Sequence, residues 1–211
     1  MNYSKTIREY CKQNKGKIFD VSYERIHHFE MIPYKTLLKI LNRLEEEKVI
    51  STYSKGIYLI NSDEVLKEDS IILYYASEFN GVVVGYELYN KYEISSHKEK
   101  PIIIYTNAMG TSTKNIGDDY KLIRFDVTFG KYTTPLIEAL EIIENKANIV
   151  DCDFAKTSQV LISLLENYLD SFFEDIIKAH KYKYSTICSL ENILRSMNKN
   201  NKVIEIFKKN V

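Results

Sequence analysis

The residues with the clearest chemical potential lie on one predicted helix near the N-terminus. Lys35, Lys39 and Asn42 follow an i, i+4, i+7 spacing, and Arg43 lies beside them. Tyr34 and Thr36 occupy the N-terminal end of the same helix. The opposite face is apolar and consists of Leu37, Leu38, Ile40, Leu41 and Leu44. Long cationic and amide side chains can reach phosphates and base edges while an apolar stripe holds their helix on its domain. On its own, this pattern favours an amphipathic helix whose polar face is only solvated. The order of the helices, the hairpin and the basic charge of this region, described next, together favour a DNA-contacting helix instead.

The elements around this helix predict how it is positioned. The periodicity predicts helices over residues 4–14, 20–29 and 33–48, with a brief strand at residues 18–19 between the first two. Two β-rich runs, residues 49–53 and 56–60, are joined by a Lys55–Gly56 turn and indicate a hairpin. This order is typical of a winged helix-turn-helix, and it places Lys55 at the tip of the wing, where it could meet an adjacent phosphate.

Charge is distributed unevenly along a chain whose net charge is zero. The chain has 211 residues, with 29 Lys and Arg against 29 Asp and Glu. Residues 1–60 contain 11 basic and 7 acidic side chains, so their net charge is 11 − 7 = +4, and the remainder carries 18 − 22 = −4. The neutral total argues against a protein that coats nucleic acid with its whole surface. The asymmetry indicates a polyanion-binding module joined to another domain.

The rest of the chain predicts a second, mixed α/β domain that ends in helices. Strands are expected at residues 82–84, 102–105 and 120–127. The last two are expected to pair with each other and to be joined by a polar connection over residues 106–119. Helices are expected over residues 64–79, 86–91, 134–145, 154–178 and 186–209. The predicted fold class is therefore α+β, with a winged helix-turn-helix over residues 1–62 and an α/β domain over residues 63–211.

Other candidate motifs do not form a catalytic or metal-binding pattern. Cys11, Cys152 and Cys188 lie far apart and predict free thiols in a reducing cytoplasm. The histidines lack metal-ligand spacing, although His27 and His28 could cap the second helix or touch phosphate. The segment after Gly110 lacks the phosphate-loop pattern. We therefore expect no metal, no cofactor and no enzymatic activity, and the lack of a long apolar run predicts no membrane span.

Residues 17–60 resemble the winged-helix start of AbiEi-type antitoxins. In that family a helix with the pattern L-x-R-L-x-x-x-x-x-I runs into a wing that ends x-x-G-x-Y. The matching positions here are Leu41, Arg43, Leu44, Ile50, Gly56 and Tyr58. A looser similarity in element order continues to about residue 150. The resemblance implies a bacterial type IV, abortive-infection antitoxin that represses its own operon and counters a nucleotidyltransferase-like toxin. Its partners would be double-stranded promoter DNA and the toxin or its target. Separately from the resemblance, a net charge of only +4 over residues 1–60 predicts that two copies bind the DNA together.

Two other classes of function remain open at this point. A C-terminal effector or enzyme-like domain, such as a nuclease or nucleotide-binding fold, could use Asp118, Asp119 and Asp126. Alternatively, the winged helix could bind protein as a plain interaction module. The last 17 residues are again basic and leave a second nucleic-acid surface possible.

Overall fold

The computed structural model describes residues 2–62 and 69–210 and is a mixed α+β protein. The chain divides into two compact units. The N-terminal unit comprises Met1–Tyr75 together with Ala108–Ser112, and the C-terminal unit comprises Ala76–Asn107 together with Thr113–Val211. The predicted domain boundary, between residues 62 and 63, therefore lies earlier in the chain than the division after Tyr75. Residue 63 itself lies outside the described residues. Within those residues, no helix combines the length and apolar character needed to cross a membrane.

Residues 2–62 of the N-terminal unit form three helices and a three-stranded antiparallel sheet. Its helices are α1 (Tyr3–Gln13), α2 (Val21–His27) and α3 (Tyr34–Glu46), and its strands are β1 (Ile18–Asp20), β2 (Ile50–Ser54) and β3 (Ile57–Ile60). The strand order is β1-β3-β2, so β3 pairs with both neighbours. Gly56 has φ +74° in the turn between β2 and β3, a left-handed conformation that glycine adopts without the steric cost of a Cβ. The predicted hairpin and the three helices are confirmed, with ends shifted by a few residues.

The apolar face of α3 forms the centre of this unit's core. Leu37, Ile40, Leu41 and Leu44 are buried, while Leu38 is half-buried. They share one hydrophobic cluster with Ile7 of α1 and with residues from the sheet. The periodicity that predicted α3 therefore identified its buried face correctly, because spacing of three and four residues places side chains on one side of a helix.

A fourth helix also belongs to the N-terminal unit. Helix α4 (Ser70–Tyr75) begins after Asp69, whose carboxylate accepts hydrogen bonds from the backbone N–H groups of Ile71 and Ile72. Sequence periodicity predicted a longer helix over residues 64–79, and residues 63–68 lie outside the described part of the chain. At the other end, the structure ends α4 at Tyr75, so the predicted continuation to residue 79 is wrong. Asn80 and Gly81 donate their N–H groups to the carbonyl of Ser77, which closes a turn there.

The C-terminal unit is built on a four-stranded mixed sheet. Its strands are β4 (Gly81–Val84), β5 (Ile102–Thr106), β6 (Thr113–Ile116) and β7 (Tyr120–Arg124), in the order β4-β5-β7-β6. Strands β5 and β7 pair in parallel, and the outer pairs are antiparallel. The pairing of β5 with β7 confirms the expectation for these two segments. The prediction of residues 106–119 as a plain connection is wrong, because β6 forms inside it. Three of the four residues of β6, namely Thr113, Lys114 and Asn115, are polar, so the segment resembled a loop in the sequence.

Six helices of the described chain complete the C-terminal unit around α6. They are α5 (Tyr86–Lys91), α6 (Thr133–Asn145), α7 (Phe154–Leu164), α8 (Asp170–Ala179), α9 (Tyr184–Ser196) and α10 (Val203–Asn210). Helix α6 is buried over most of its surface and packs against α7, α8, α9 and β4. A 3-10 turn, Lys146–Asn148, extends its C-terminal end.

Two long predicted helices are each divided in the structure. The helix expected over residues 154–178 is interrupted after Leu164, where Leu169 adopts an extended backbone before α8. The helix expected over residues 186–209 is interrupted after Ser196, and Asn198 in the following turn has a left-handed φ of +56°. The N–H of Lys199 donates to the carbonyl of Leu194, a closure typical of helix C-termini. Both predictions of continuous helices are therefore wrong: apolar spacing continued across turns that contain neither Gly nor Pro.

Candidate nucleic-acid interface

The polar face of α3 presents a row of exposed side chains. Tyr34, Lys35, Lys39, Asn42 and Arg43 are exposed, opposite the buried leucines and isoleucine of the same helix. Thr36 is half-buried at the N-terminal end. Lys55 is exposed in the turn between β2 and β3. The structure therefore brings six of the seven predicted site residues together on one helix, and the seventh lies on the adjacent hairpin.

The lysines of the predicted site are not neutralised by carboxylates of the described part of the chain. The side chains of Lys35, Lys39, Asn42 and Lys55 form no hydrogen bond or ion pair with any residue of ranges 2–62 and 69–210. A lysine that has no carboxylate neighbour keeps its positive charge for an external anion. Exposed, uncompensated cations on one helix face are what contact with a phosphate backbone requires.

Three consecutive glutamates, residues 45–47, lie at the C-terminal end of α3, and two of them have structural partners away from this row. The carboxylate of Glu45 accepts hydrogen bonds from the backbone N–H of Thr52, at 3.1 Å, and from its hydroxyl, at 2.5 Å. Glu47 pairs with Arg8 of α1. The hydrogen bond from Arg8, with a smaller contribution from Arg43, lowers the pKa of the Glu47 carboxyl. Sequence reasoning had no account of this run, which here ties α3 to β2 and to α1.

Arg25 is a residue that sequence reasoning missed. It lies in the last turn of α2, and its guanidinium carbon is 5.5 Å from the ring centroid of Tyr34, at the start of α3. This cation–π contact places a further exposed positive charge beside the row. No side chain caps the N-terminus of α3, where Pro33 holds the cap position. In the sequence, Arg25 is only a basic residue near the end of a predicted helix, and this pattern is too common to identify a binding residue.

The two neighbouring histidines have different partners. A ring nitrogen of His27 lies 2.8 Å from the carbonyl oxygen of Tyr23, consistent with the predicted capping of helix carbonyls. His28 instead contacts the buried carboxylate of Glu24, at 2.9 Å between Nδ1 and Oε2. Both histidine side chains therefore contact groups of α2 itself and stabilise that helix.

Two buried carboxylates fix the position of α2. Asp20 caps this helix by accepting from the N–H groups of Ser22 and Tyr23, and it also accepts from the hydroxyl of Tyr75, at 2.5 Å. Glu24 accepts from the hydroxyls of Tyr10, at 2.7 Å, and Tyr74, at 2.8 Å. Burial raises the pKa of each of these three tyrosines, and the neighbouring carboxylate raises it further. Buried carboxylates are tolerated when they are hydrogen-bonded in this way.

The three aspartates of the alternative nuclease hypothesis are solvent-exposed in the C-terminal unit. Asp119 pairs with Lys100, and Asp126 accepts from Arg124 at 2.7 Å. Asp118 is also exposed. Across residues 2–62 and 69–210, no group of three or more His, Cys, Asp or Glu side chains is arranged to hold a metal ion. The structure thus gives two of these carboxylates a cation partner and does not gather the three at one centre.

No protein-family model matches this chain. No curated protein matches it at a significant level either. The geometry of the α3 row and of the adjoining hairpin therefore carries the functional argument.

Proposed function

We propose that the N-terminal unit is a winged helix-turn-helix that binds double-stranded DNA, with α3 in the major groove. The observation that carries this proposal is the row of exposed side chains on α3, whose lysines lack a partner among the described residues, opposite a buried apolar stripe. The order of helices and hairpin supports it, since β3 lies between β1 and β2 and the β2–β3 turn carries Lys55. Lys35, Lys39 and Asn42 would approach base edges or phosphates, and Arg43 and Lys55 would contact the backbone.

The wider proposal is that the chain is an antitoxin and transcriptional autorepressor of a type IV abortive-infection system. Its support is the resemblance over residues 17–60, which covers Leu41, Arg43, Leu44 and Gly56. In this proposal the N-terminal unit occupies the promoter of its own operon, and the chain counters a nucleotidyltransferase-like toxin or acts on its target. A net charge of only +4 over residues 1–60 favours two copies on repeated half-sites, because one copy would bind weakly.

The competing function is a winged-helix regulator whose C-terminal unit is an effector or enzyme-like domain unrelated to a toxin. Co-expression separates the two proposals. The full chain should restore growth to cells that express the toxin of the adjacent gene, and a Lys35→Ala/Lys39→Ala/Asn42→Ala variant should lose promoter repression. Repression without any protection from the toxin would favour the effector-domain function.

DNA binding itself is tested with the full chain by fluorescence anisotropy on a labelled duplex of its own promoter and on a scrambled duplex. The triple alanine variant should lose promoter binding, because about 1–3 kcal/mol depends on each base contact. Its matched control is Lys5→Ala/Lys12→Ala/Asn14→Ala, which removes two charges and one amide from around α1. Unchanged promoter binding by the α3 variant, with an unaltered melting temperature, would remove α3 from the DNA interface.

A further inference from the structure

The N-terminal unit contains a cavity of about 390 Å³ between the second half of α1, the end of α3 and the end of β3. This volume lies in the range of about 300–1,000 Å³ that is typical of small-molecule sites. Every residue that lines the cavity belongs to the N-terminal unit. The lining side chains form an apolar floor and a basic rim, and these two features indicate the kind of ligand that the cavity can hold.

Apolar side chains form the floor of this cavity. Cys11 and Ile60 are each only 1% exposed, and half-buried Val49 lines the cavity as well. Burial raises the pKa of the Cys11 thiol to about 11, so the thiol is neutral at physiological pH and behaves as a small apolar group. The floor therefore suits the apolar part of a ligand, whose burial is favourable in proportion to its area.

The uncharged polar groups in the wall are already engaged within the protein. The side-chain nitrogen of Asn61 donates to the carbonyl of Lys48, at 2.8 Å, and its side-chain oxygen accepts from the hydroxyl of Ser51, at 2.8 Å. Ser62 also has an interaction within the chain. A ligand with many polar atoms, such as a sugar or a nucleobase, needs a set of precisely placed donors and acceptors. The lining therefore favours a ligand whose buried part is hydrocarbon.

The rim of the cavity is basic. Within the described part of the chain, the charged side chains that line the cavity are all cations, and no carboxylate is among them. They are Arg8, Lys12, Lys15 and Lys48. Glu47 pairs with Arg8 and Glu9 pairs with Lys12, and counting these two carboxylates leaves a charge of 4 − 2 = +2. The charge of the rim therefore favours an anion.

Lys48 is the cation best placed to bind that anion. Its φ of +57° is left-handed, a conformation that glycine commonly adopts just after a helix and that other residues adopt rarely. Arg8, Lys12 and Lys15 each have an interaction within the chain. The ammonium of Lys48, in contrast, forms no hydrogen bond or ion pair within residues 2–62 and 69–210. The rim thus holds an unpaired cation at a backbone position that favours glycine.

We propose that this cavity binds a free aliphatic carboxylic acid of medium chain length, in its carboxylate form. The alkyl chain lies against Cys11, Val49 and Ile60, and the carboxylate meets Lys48 at the rim. None of the residues proposed to contact DNA lines the cavity, and Lys48 lies beyond the opposite end of α3 from Tyr34. The site would make the N-terminal unit responsive to a small organic acid whether or not that unit binds DNA.

Isothermal titration calorimetry on the full chain, without DNA, tests this site with octanoate and four matched ligands. Octanoate should bind once per chain with a Kd below about 1 mM. Hexanoate should bind about tenfold more weakly, because it buries two fewer methylene groups. Octan-1-ol, which lacks the charge, and octylamine, which reverses it, should each bind at least about tenfold more weakly than octanoate. The site is refuted if octanoate does not bind at about 1 mM, or if octan-1-ol, octylamine or inorganic phosphate binds as tightly as octanoate.

Variants assign the roles of the rim and the floor. Lys48→Gly should weaken octanoate about tenfold and leave octan-1-ol unchanged, and it should fold like the wild type because glycine suits the left-handed backbone. Its control, Lys5→Ala, removes an exposed lysine of α1 that does not line the cavity and should change neither affinity. Val49→Thr places a hydroxyl in the apolar wall and should weaken octanoate about fivefold. Unchanged octanoate affinity in both Lys48→Gly and Val49→Thr, with melting curves like that of the wild type, would overturn the proposal.

Discussion

The salt dependence of DNA binding gives the sharpest test of the α3 row. The change is Lys35→Ala/Lys39→Ala in the full chain. Both lysines are exposed, so their loss should leave the free energy of unfolding within about 0.5 kcal/mol of the wild type. If they neutralise phosphates, their loss must reduce the number of counterions that binding releases, because each phosphate contact displaces condensed cations from DNA.

The magnitude follows from the number of cations at the proposed interface. Lys35, Lys39, Arg43 and Lys55 make four contacts per copy, so log K should fall against log salt with a slope of about −3.6. Affinity should then decrease about 150-fold between about 50 and 200 mM salt. Without the two lysines the slope becomes about −1.8 and the decrease about 12-fold. Two copies on one duplex would double both slopes and leave their ratio unchanged.

The assay is fluorescence anisotropy on a fixed promoter duplex at several salt concentrations. Asn42→Ala is the internal comparison, because an uncharged side chain should change affinity at every salt concentration and leave the slope as it was. Lys5→Ala/Lys12→Ala, on α1, is the charge-matched control and should retain the wild-type slope. The argument fails if the α3 double variant keeps the wild-type slope, or if the α1 variant reduces it equally.

Three further predictions concern stability. Leu41→Ala, in the buried stripe of α3, should lower the free energy of unfolding by about 2–5 kcal/mol in urea denaturation, and a loss below about 1 kcal/mol would contradict its place in the core. Tyr75→Phe should cost about 1.5–3 kcal/mol, because it removes the hydroxyl that donates to the buried Asp20, and a neutral effect would show that this bond contributes nothing net. Burial raises the pKa of Glu141, so its charged form is less favourable in the folded than in the unfolded chain. The stability of the wild type relative to Glu141→Gln should therefore fall as pH rises from about 4 to 7 in thermal melts, and a rise would refute this sign.

Several elements could be predicted from the sequence because local patterns determine them. Helix α3 has a regular apolar stripe, and Gly56 sits in the turn of a β-rich hairpin. The pairing of β5 with β7 was predictable from two apolar runs. By contrast, β6 is mainly polar and is stabilised by backbone pairing with β7, which periodicity does not detect. The break at Asn198 was missed because a left-handed asparagine has no unique sequence signal.

The candidate DNA site was predictable to the extent that it lies on one helix. Lys35, Lys39 and Asn42 share a face because of their spacing alone. Arg25 was missed, since its contact with Tyr34 depends on how α2 packs beside α3. The hydrogen bond between Asp20 and Tyr75 joins residues 55 positions apart, and the one between Glu24 and Tyr74 joins residues 50 positions apart. No local sequence pattern relates the members of either pair. Glu141 was predicted only as part of a helix over residues 134–145, because its burial depends on strands and helices distant in sequence.

The N-terminal unit is built from two separate stretches of the chain, which limits how it can be joined to a different domain. The segment Ala108–Ser112 belongs to this unit although it lies between β5 and β6 in the chain. There Gly110 packs beside α2, since a Cβ added to it would be in van der Waals contact with the Cβ of Ser22, at 3.6 Å. A chimaera that joins residues 1–75 to a foreign domain through one junction would lack this segment and expose that side of α2. Exchange of the N-terminal unit between genes would therefore need two coordinated junctions, so we expect the two units to be inherited together more often than separately.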